Sequence, residues 1–90
     1  MSIKIGIPSY LQSFTDNLET VEVTGSTVGE CLGYLIKQFP GMEKKLLDKN
    51  GKLLDYVAVY LNGEDTYPEE LSRLVQDGDE LFILYIIGGG

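Results

Sequence analysis

Three glycines, Gly88, Gly89 and Gly90, close the sequence directly after an apolar run, and they are its most unusual chemical feature. Glycine has no Cβ, so such a segment is predicted to be mobile and slim. Three extended residues reach roughly 10 Å, which would carry a terminal carboxylate into a narrow channel of another protein. A frayed chain end fits the same residues, because chain termini are commonly disordered. The glycines by themselves leave both interpretations open.

The other groups that could carry chemistry favour structural roles. Cys31 is the single cysteine and falls in the apolar stripe of a predicted helix, where a free cysteine usually behaves as a small hydrophobic residue. The sequence has no histidine, which removes the commonest general base and a common metal ligand. Acidic pairs at Glu64-Asp65, Glu69-Glu70 and Asp77/Asp79 match no calcium-loop spacing and are typical of turns and solvated surface. We therefore expect no enzymatic activity, no bound cofactor and no metal site.

Size and charge narrow the class further. Ninety residues predict one domain, and the net charge of −7 arises from fourteen acidic and seven basic residues. This balance predicts no binding to nucleic acid or to anionic membranes. It favours a partner with a basic docking surface, with simple solubility as the alternative. A single cysteine, no visible signal peptide and an apolar run, 81–87, too short to span a bilayer together predict a cytoplasmic protein.

One segment predicts a strong helix. Thr27 and Glu30 fit a capping box, in which the hydroxyl and the carboxylate satisfy N–H groups at the helix start. Apolar residues then recur at spacings of three and four, and Pro40-Gly41 ends the helix. The stripe consists of Val28, Cys31, Leu32, Leu35, Ile36 and Phe39.

The remaining apolar runs predict strands. They cover Met1–Ile7, Glu19–Val23, Leu53–Leu61, a short edge segment around Asp65–Tyr67, and Glu80–Ile87. One helix on one face of a mixed sheet of four to five strands gives an α+β domain in two layers. If the first and last strands pair in parallel at the centre, the fold is a ubiquitin-like β-grasp, although element order alone does not prove that pairing. We predict this domain over residues 1–87 and a flexible glycine tail over 88–90.

Alternation along the strands predicts a surface patch. If Ile3, Ile5, Val57, Val59, Leu81 and Ile83 face the helix, the intervening side chains face outward. Those residues are Tyr56, Ala58, Tyr60, Phe82 and Leu84. Contiguous exposed apolar area beside the tail is typical of an interface, and we predict that it binds a partner. Scattered surface apolarity, or a loop folded over these residues, is the alternative.

Several short stretches, in their order along the chain, carry a family resemblance. They are 7–11 (IPSYL), 25–30 (GSTVGE), 39–41 (FPG), 51–53 (GKL), 57–65 (VAVYLNGED), 77–81 (DGDEL) and the terminal glycines. Together they are similar to the MoaD/ThiS family of sulfur carriers, and especially to the branch that serves cysteine biosynthesis.

The resemblance implies a working cycle centred on Gly90. An E1-like enzyme would use ATP to adenylate its carboxylate, and sulfur transfer would then give a thiocarboxylate for a sulfur-accepting biosynthetic enzyme. Gly88 and Gly89 would thread the tail into each partner, and the partners would supply all catalysis. The acceptor pathway stays open between cysteine or methionine, molybdopterin and thiamine synthesis. A protein modifier that forms isopeptide bonds through Gly90, and a non-covalent adaptor or small subunit, are the alternatives.

Overall fold

The computed structural model describes residues 2–86, and the predicted tail, residues 88–90, lies outside them. The strands are β1 Ile3–Gly6, β2 Thr20–Val23, β3 Val57–Leu61, β4 Glu64–Asp65 and β5 Glu80–Tyr85. The α-helices are α1 Val28–Gln38 and α2 Glu43–Leu46, and 3₁₀ segments cover Ser9–Thr15, Pro40–Met42 and Glu70–Ser72. Within the described residues, no helix has the length and apolar content needed to cross a membrane.

The five strands form one mixed sheet in the order β2-β1-β5-β3-β4. Strand β1 pairs in parallel with β5, with Ile5 opposite Leu81, and the other pairings are antiparallel. The first and last strands therefore lie side by side at the centre of the sheet. This pairing confirms the predicted α+β, ubiquitin-like β-grasp.

Helix α1 begins at the predicted cap, with one difference in detail. The Thr27 hydroxyl accepts a hydrogen bond from the Glu30 N–H at 3.1 Å, as expected. The Glu30 carboxylate accepts from the N–H of Ser26 at 2.7 Å instead of from that of Thr27. Both bonds satisfy backbone donors that would otherwise lack partners at the helix start.

The apolar stripe of α1 and one face of the sheet form the core. The fully buried side chains of the two layers include Val28, Cys31, Leu32 and Leu35 on the helix and Ile3, Ile5, Val59, Leu81 and Ile83 on the strands. Every strand residue predicted to face the helix is buried. The helical period of 3.6 residues and the strand period of two residues therefore identified the core faces of α1 and of the sheet correctly.

Two segments differ from the prediction. Strand β3 begins at Val57 rather than at Leu53, because Leu53 forms an isolated bridge with Leu47 and the Leu54 N–H donates to the carbonyl of Leu46. The polar stretch between β1 and β2, where the sequence pattern predicts neither a strand nor a helix, contains the 3₁₀ segment Ser9–Thr15. Its Leu11 is buried, so the connection packs against the core instead of looping through solvent.

The turn between β3 and β4 is hydrogen-bonded to the residues at the start of β5. Asn62 and Gly63, between β3 and β4, both have positive φ, 51° and 89°, as a type I′ hairpin loop requires. The side-chain amide of Asn62 donates to the Asp79 carboxylate at 3.0 Å. The side-chain oxygen Oδ1 of Asn62 accepts from the Glu80 N–H at 2.9 Å. Hydrogen bonds from the Gln76 N–H and from Asn62 lower the pKa of Asp79. These bonds fix the start of the strand that leads to the tail.

Candidate functional site

The face of the sheet away from α1 carries exposed apolar side chains on β5. Leu81 and Ile83 point into the core, and the alternation sends Phe82 and Leu84 outward, where both are exposed. Tyr60, half-buried, lies opposite Phe82 in the register of β3 and β5. The predicted outward orientation of these three residues is confirmed.

The ring of Phe82 covers the backbone of the neighbouring strand. A Cβ added to Gly6 would lie 2.5 Å from ring atoms Cδ1 and Cε1, so the ring occupies the space that a side chain would need. Phe82 is nonetheless 50% exposed. Glycine at the end of β1 thus allows the aromatic ring to pack directly against the sheet while one side stays open to solvent.

Two of the predicted patch residues do not contribute exposed area beside Phe82 as expected. Ala58 is only 5% exposed, so its expected contribution of exposed area was wrong: a single methyl group does not rise above larger neighbours such as Leu84, its partner in register. Tyr56 is exposed but lies in the turn before β3, and its ring packs edge-on against Tyr85 with centroids 5.2 Å apart. Tyr56 therefore belongs to the end of the sheet rather than to the group around Phe82.

Ile86 extends the apolar surface to the last described residue. It is 55% exposed, and its N–H donates to the carbonyl of Tyr56 at 2.7 Å, so the chain stays paired one residue beyond β5. It lines a shallow cavity of about 310 Å³ together with Ala58 and Asp65. The alternation of β5, continued by two residues, would have found it. We call Tyr60, Phe82, Leu84 and Ile86 the docking face.

Charged side chains border the docking face. Exposed Glu80 precedes Phe82 by two residues on the same side of β5, and exposed Asp65 lies opposite Tyr60. Lys4 is adjacent to Glu80 in register on one side and to Glu22 on the other, so carboxylates flank its positive charge. An apolar surface with a mainly acidic border fits a partner surface that is apolar with a basic border.

Three tyrosines surround the end of β5. The ring of Tyr85 lies between Tyr10, at 4.9 Å, and Tyr56, and its hydroxyl donates to the carbonyl of Lys45 in α2 at 2.7 Å. Burial, followed by the proximity of Tyr56 and Tyr10, raises the pKa of Tyr85. We call Tyr10, Tyr56 and Tyr85 the tyrosine cluster. The sequence analysis did not find it, because Tyr10 and Tyr85 are far apart in the chain and no local pattern links them.

Cys31 has the environment of a core residue. Its side chain is fully buried, and burial together with the charge of Glu30 raises the pKa of the thiol to about 11. The thiol is therefore neutral and inaccessible at neutral pH, which confirms the core interpretation. Across residues 2–86, no group of three or more cysteine and carboxylate side chains is arranged to hold a metal ion.

The model of the ThiS family matches residues 5–90 of the sequence. The chain belongs to the ThiS family. The sulfur carrier protein CysO of Mycobacterium tuberculosis is 31% identical over 93 aligned residues, which cover 100% of both chains. Small archaeal modifier protein 1 of Haloferax volcanii is 34% identical over 71 residues, or 78% of each chain.

A solved structure agrees with this ThiS-family assignment. A chain in the crystal structure of the Amycolatopsis orientalis BexX/CysO complex superposes with a TM-score of 0.89 at 32% identity, covering 98% of this chain and 99% of that one. These relatives are carriers or modifiers by name, in agreement with the expectation that the chain itself is not an enzyme. The ThiS family match includes Gly88, Gly89 and Gly90. These three residues lie outside the part of the chain that the structure describes.

Proposed function

We propose that this protein is a sulfur carrier whose Gly90 carboxylate is adenylated by an E1-like enzyme and converted to a thiocarboxylate. The observation that carries the proposal is the match of the ThiS family to residues 5–90, which includes the terminal glycines. The match to a sulfur carrier protein over the whole of both chains supports it.

The chemistry explains why a second protein must activate the carrier. A terminal carboxylate has a pKa of about 3.5, so at neutral pH it is ionised and resists nucleophilic attack. An oxygen of this carboxylate attacks the α-phosphorus of ATP, pyrophosphate leaves, and an acyl-adenylate results. A sulfur nucleophile then attacks the Gly90 carbonyl and AMP departs. ATP is a substrate of the activating enzyme and not a cofactor bound by the carrier.

The described residues supply a scaffold and a surface rather than catalytic groups. The sequence has no histidine, and the Cys31 thiol is buried with a raised pKa, so Cys31 is unsuited to carry the sulfur. This leaves the Gly90 carbonyl as the sulfur-bearing position in the proposal. Gly88 and Gly89 lack a Cβ and so let a narrow channel approach the backbone closely.

The docking face gives the partners a place to bind. Phe82 and Leu84 are exposed apolar side chains, and exposed Ile86 precedes the glycines by two residues. Since three extended residues reach roughly 10 Å, a partner that acts on Gly90 must bind close to this face. The activating enzyme and the sulfur-accepting enzyme would therefore use the same surface in turn.

Intact-mass measurement tests the proposal. The full chain is incubated with the E1-like enzyme of the same organism, ATP and a sulfide source. We expect a mass gain equal to the replacement of one oxygen by one sulfur. The controls omit ATP or use a chain that lacks Gly89 and Gly90, and neither control should gain the mass. An unchanged mass of the full chain under conditions that support adenylation would overturn the proposal.

The match to small archaeal modifier protein 1 favours a second candidate function, covalent protein modification. Gly90, activated in the same way, would form an isopeptide bond with a lysine of a target protein. This function predicts a ladder of high-mass conjugates in cell extracts that disappears when Gly90 is deleted. A non-covalent adaptor, in contrast, would retain its function without Gly89 and Gly90.

A further inference from the structure

The end of β5 is held on both sides by hydrogen bonds. Strand β1 ends at Gly6, which pairs with Phe82, so β5 extends beyond its parallel neighbour. At that point the Tyr10 hydroxyl takes the place of a strand partner and accepts from the Tyr85 N–H at 2.8 Å. On the other side, the Ile86 N–H donates to the Tyr56 carbonyl at 2.7 Å. Two consecutive amides are thus bound in opposite directions just before the terminal glycines.

The side chain of Tyr85 adds a third tie. Its hydroxyl donates to the carbonyl of Lys45 at 2.7 Å, which connects β5 to α2. Carbonyls at a helix end lack partners within the helix, so this bond satisfies one of them. The ring is also in contact with the rings of Tyr10 and Tyr56.

This arrangement lies at the surface, at a site where strands usually fray. Tyr10 is 49% exposed, and Tyr56 is exposed to a similar degree. Removal of the Tyr10 hydroxyl would keep the ring and leave the main core untouched. The hydrogen bonds of the tyrosine cluster therefore act mainly on the direction and order of the last strand residues.

We propose that Tyr10 and Tyr85 are positioning residues, which fix the point and direction from which the terminal glycines leave the domain. This inference rests on the proposed function, because the direction matters only if Gly90 must enter a partner's active site. Productive insertion requires an ordered strand end. In the folded domain this ordering has already taken place before docking, so it does not add to the cost of insertion. If one additional backbone residue had to be ordered during docking, the fraction of productive encounters would fall by about fivefold or more.

The test compares two Tyr→Phe variants of the full chain. Tyr10→Phe removes the acceptor of the Tyr85 N–H, whereas Tyr34→Phe removes an exposed hydroxyl on α1 that makes no hydrogen bond with any of residues 2–86. The rate of pyrophosphate release by the E1-like enzyme is measured against carrier concentration. We expect Tyr10→Phe to lower kcat about three- to tenfold, the usual net effect of one hydrogen bond. KM should stay unchanged because the docking face is intact, and Tyr34→Phe should match the wild type in both parameters.

Amide hydrogen exchange supplies a readout that does not depend on the enzyme. In Tyr10→Phe, the amides of Tyr85 and Ile86 should exchange faster, whereas the amide of Leu81 should not. Tyr85→Phe, which loses the bond to Lys45, should change kcat in the same direction.

The outcomes separate this inference from the proposed function. If the wild type is adenylated and Tyr10→Phe has the same kcat, the positioning role is overturned. A fall in kcat without faster exchange at Tyr85 would also overturn it. If the wild type itself is not adenylated, the proposed function fails, and the positioning role fails with it.

Discussion

Phe82 offers the most informative change in the docking face, and we expect Phe82→Asp to weaken binding to the E1-like enzyme. The ring is 50% exposed and lies over Gly6, so it presents one open side to a partner without any rearrangement of the domain. An aspartate at this position removes the apolar area and adds a charge near Glu80 and Asp65 on the acidic border.

The magnitude follows from the exposed area. An aromatic side chain buries about 200 Å² when fully covered, so the open half of Phe82 offers about 100 Å² to a partner. At about 25 cal/mol per Å², its burial contributes about 2.5 kcal/mol, which corresponds to an increase in Kd of about 60-fold when it is lost. The desolvation of the new carboxylate adds to this loss. Phe82→Ala removes the area alone and should therefore weaken binding less than Phe82→Asp.

Titration calorimetry with the E1-like enzyme measures these affinities, and circular dichroism checks that each variant is folded. Leu74→Asp is the matched control, because Leu74 is also an exposed apolar residue, with 72% of its surface open. It forms a bridge with Thr27 at the start of α1 and is not part of the docking face. Its affinity should equal that of the wild type. Folded Phe82→Asp with wild-type affinity would refute the assignment of the docking face, and an equal loss in Leu74→Asp would show a general charge effect.

Two further predictions concern the helix. Gly33→Ala should raise the free energy of unfolding in urea by about 0.5–1 kcal/mol, because alanine favours the helix and the new Cβ meets no heavy atom of the described chain within 4 Å. Gly29→Ala should raise the free energy of unfolding less than Gly33→Ala does, or lower it, because its Cβ would lie 3.0 Å from the Leu71 carbonyl oxygen. An equal rise in both variants would contradict this packing. Burial raises the pKa of Cys31 from its ordinary value of 9.0 to about 11, so the unfolded chain ionises first as the pH rises. Between these pH values the wild type should lose about 1.4 kcal/mol of stability per pH unit relative to Cys31→Ala, and parallel stability profiles for the two proteins would contradict the raised pKa.

Local patterns predicted the elements whose formation depends on nearby residues. The Thr27–Glu30 pair located the start of α1, and alternation along β5 placed Leu81 and Ile83 in the core and Phe82 and Leu84 outside. These rules succeed because a helix or strand must bury one face, whichever elements cover it.

Features that depend on distant partners were not predicted. Leu53 and Leu54 extend the apolar run of β3, but residues at the end of α2 pair with them, and no strand period reports that competition. The exposure of Ala58 depends on the size of its neighbours as well as on its direction. The bond from the Tyr85 N–H to the Tyr10 hydroxyl joins residues 75 positions apart, so only the folded chain shows it.

The terminal tryptic peptide provides the most direct test of the proposed sulfur carrier. Cleavage after Arg73 releases Leu74–Gly90, which contains neither cysteine nor methionine, so any sulfur in this peptide must have been added to it. The protein is isolated from its own cells, alkylated and analysed by tandem mass spectrometry. We predict that a fraction of this peptide carries one alkylated sulfur in place of an oxygen, located at Gly90. A peptide that never contains sulfur, from cells in which the E1-like enzyme is active, would contradict the account.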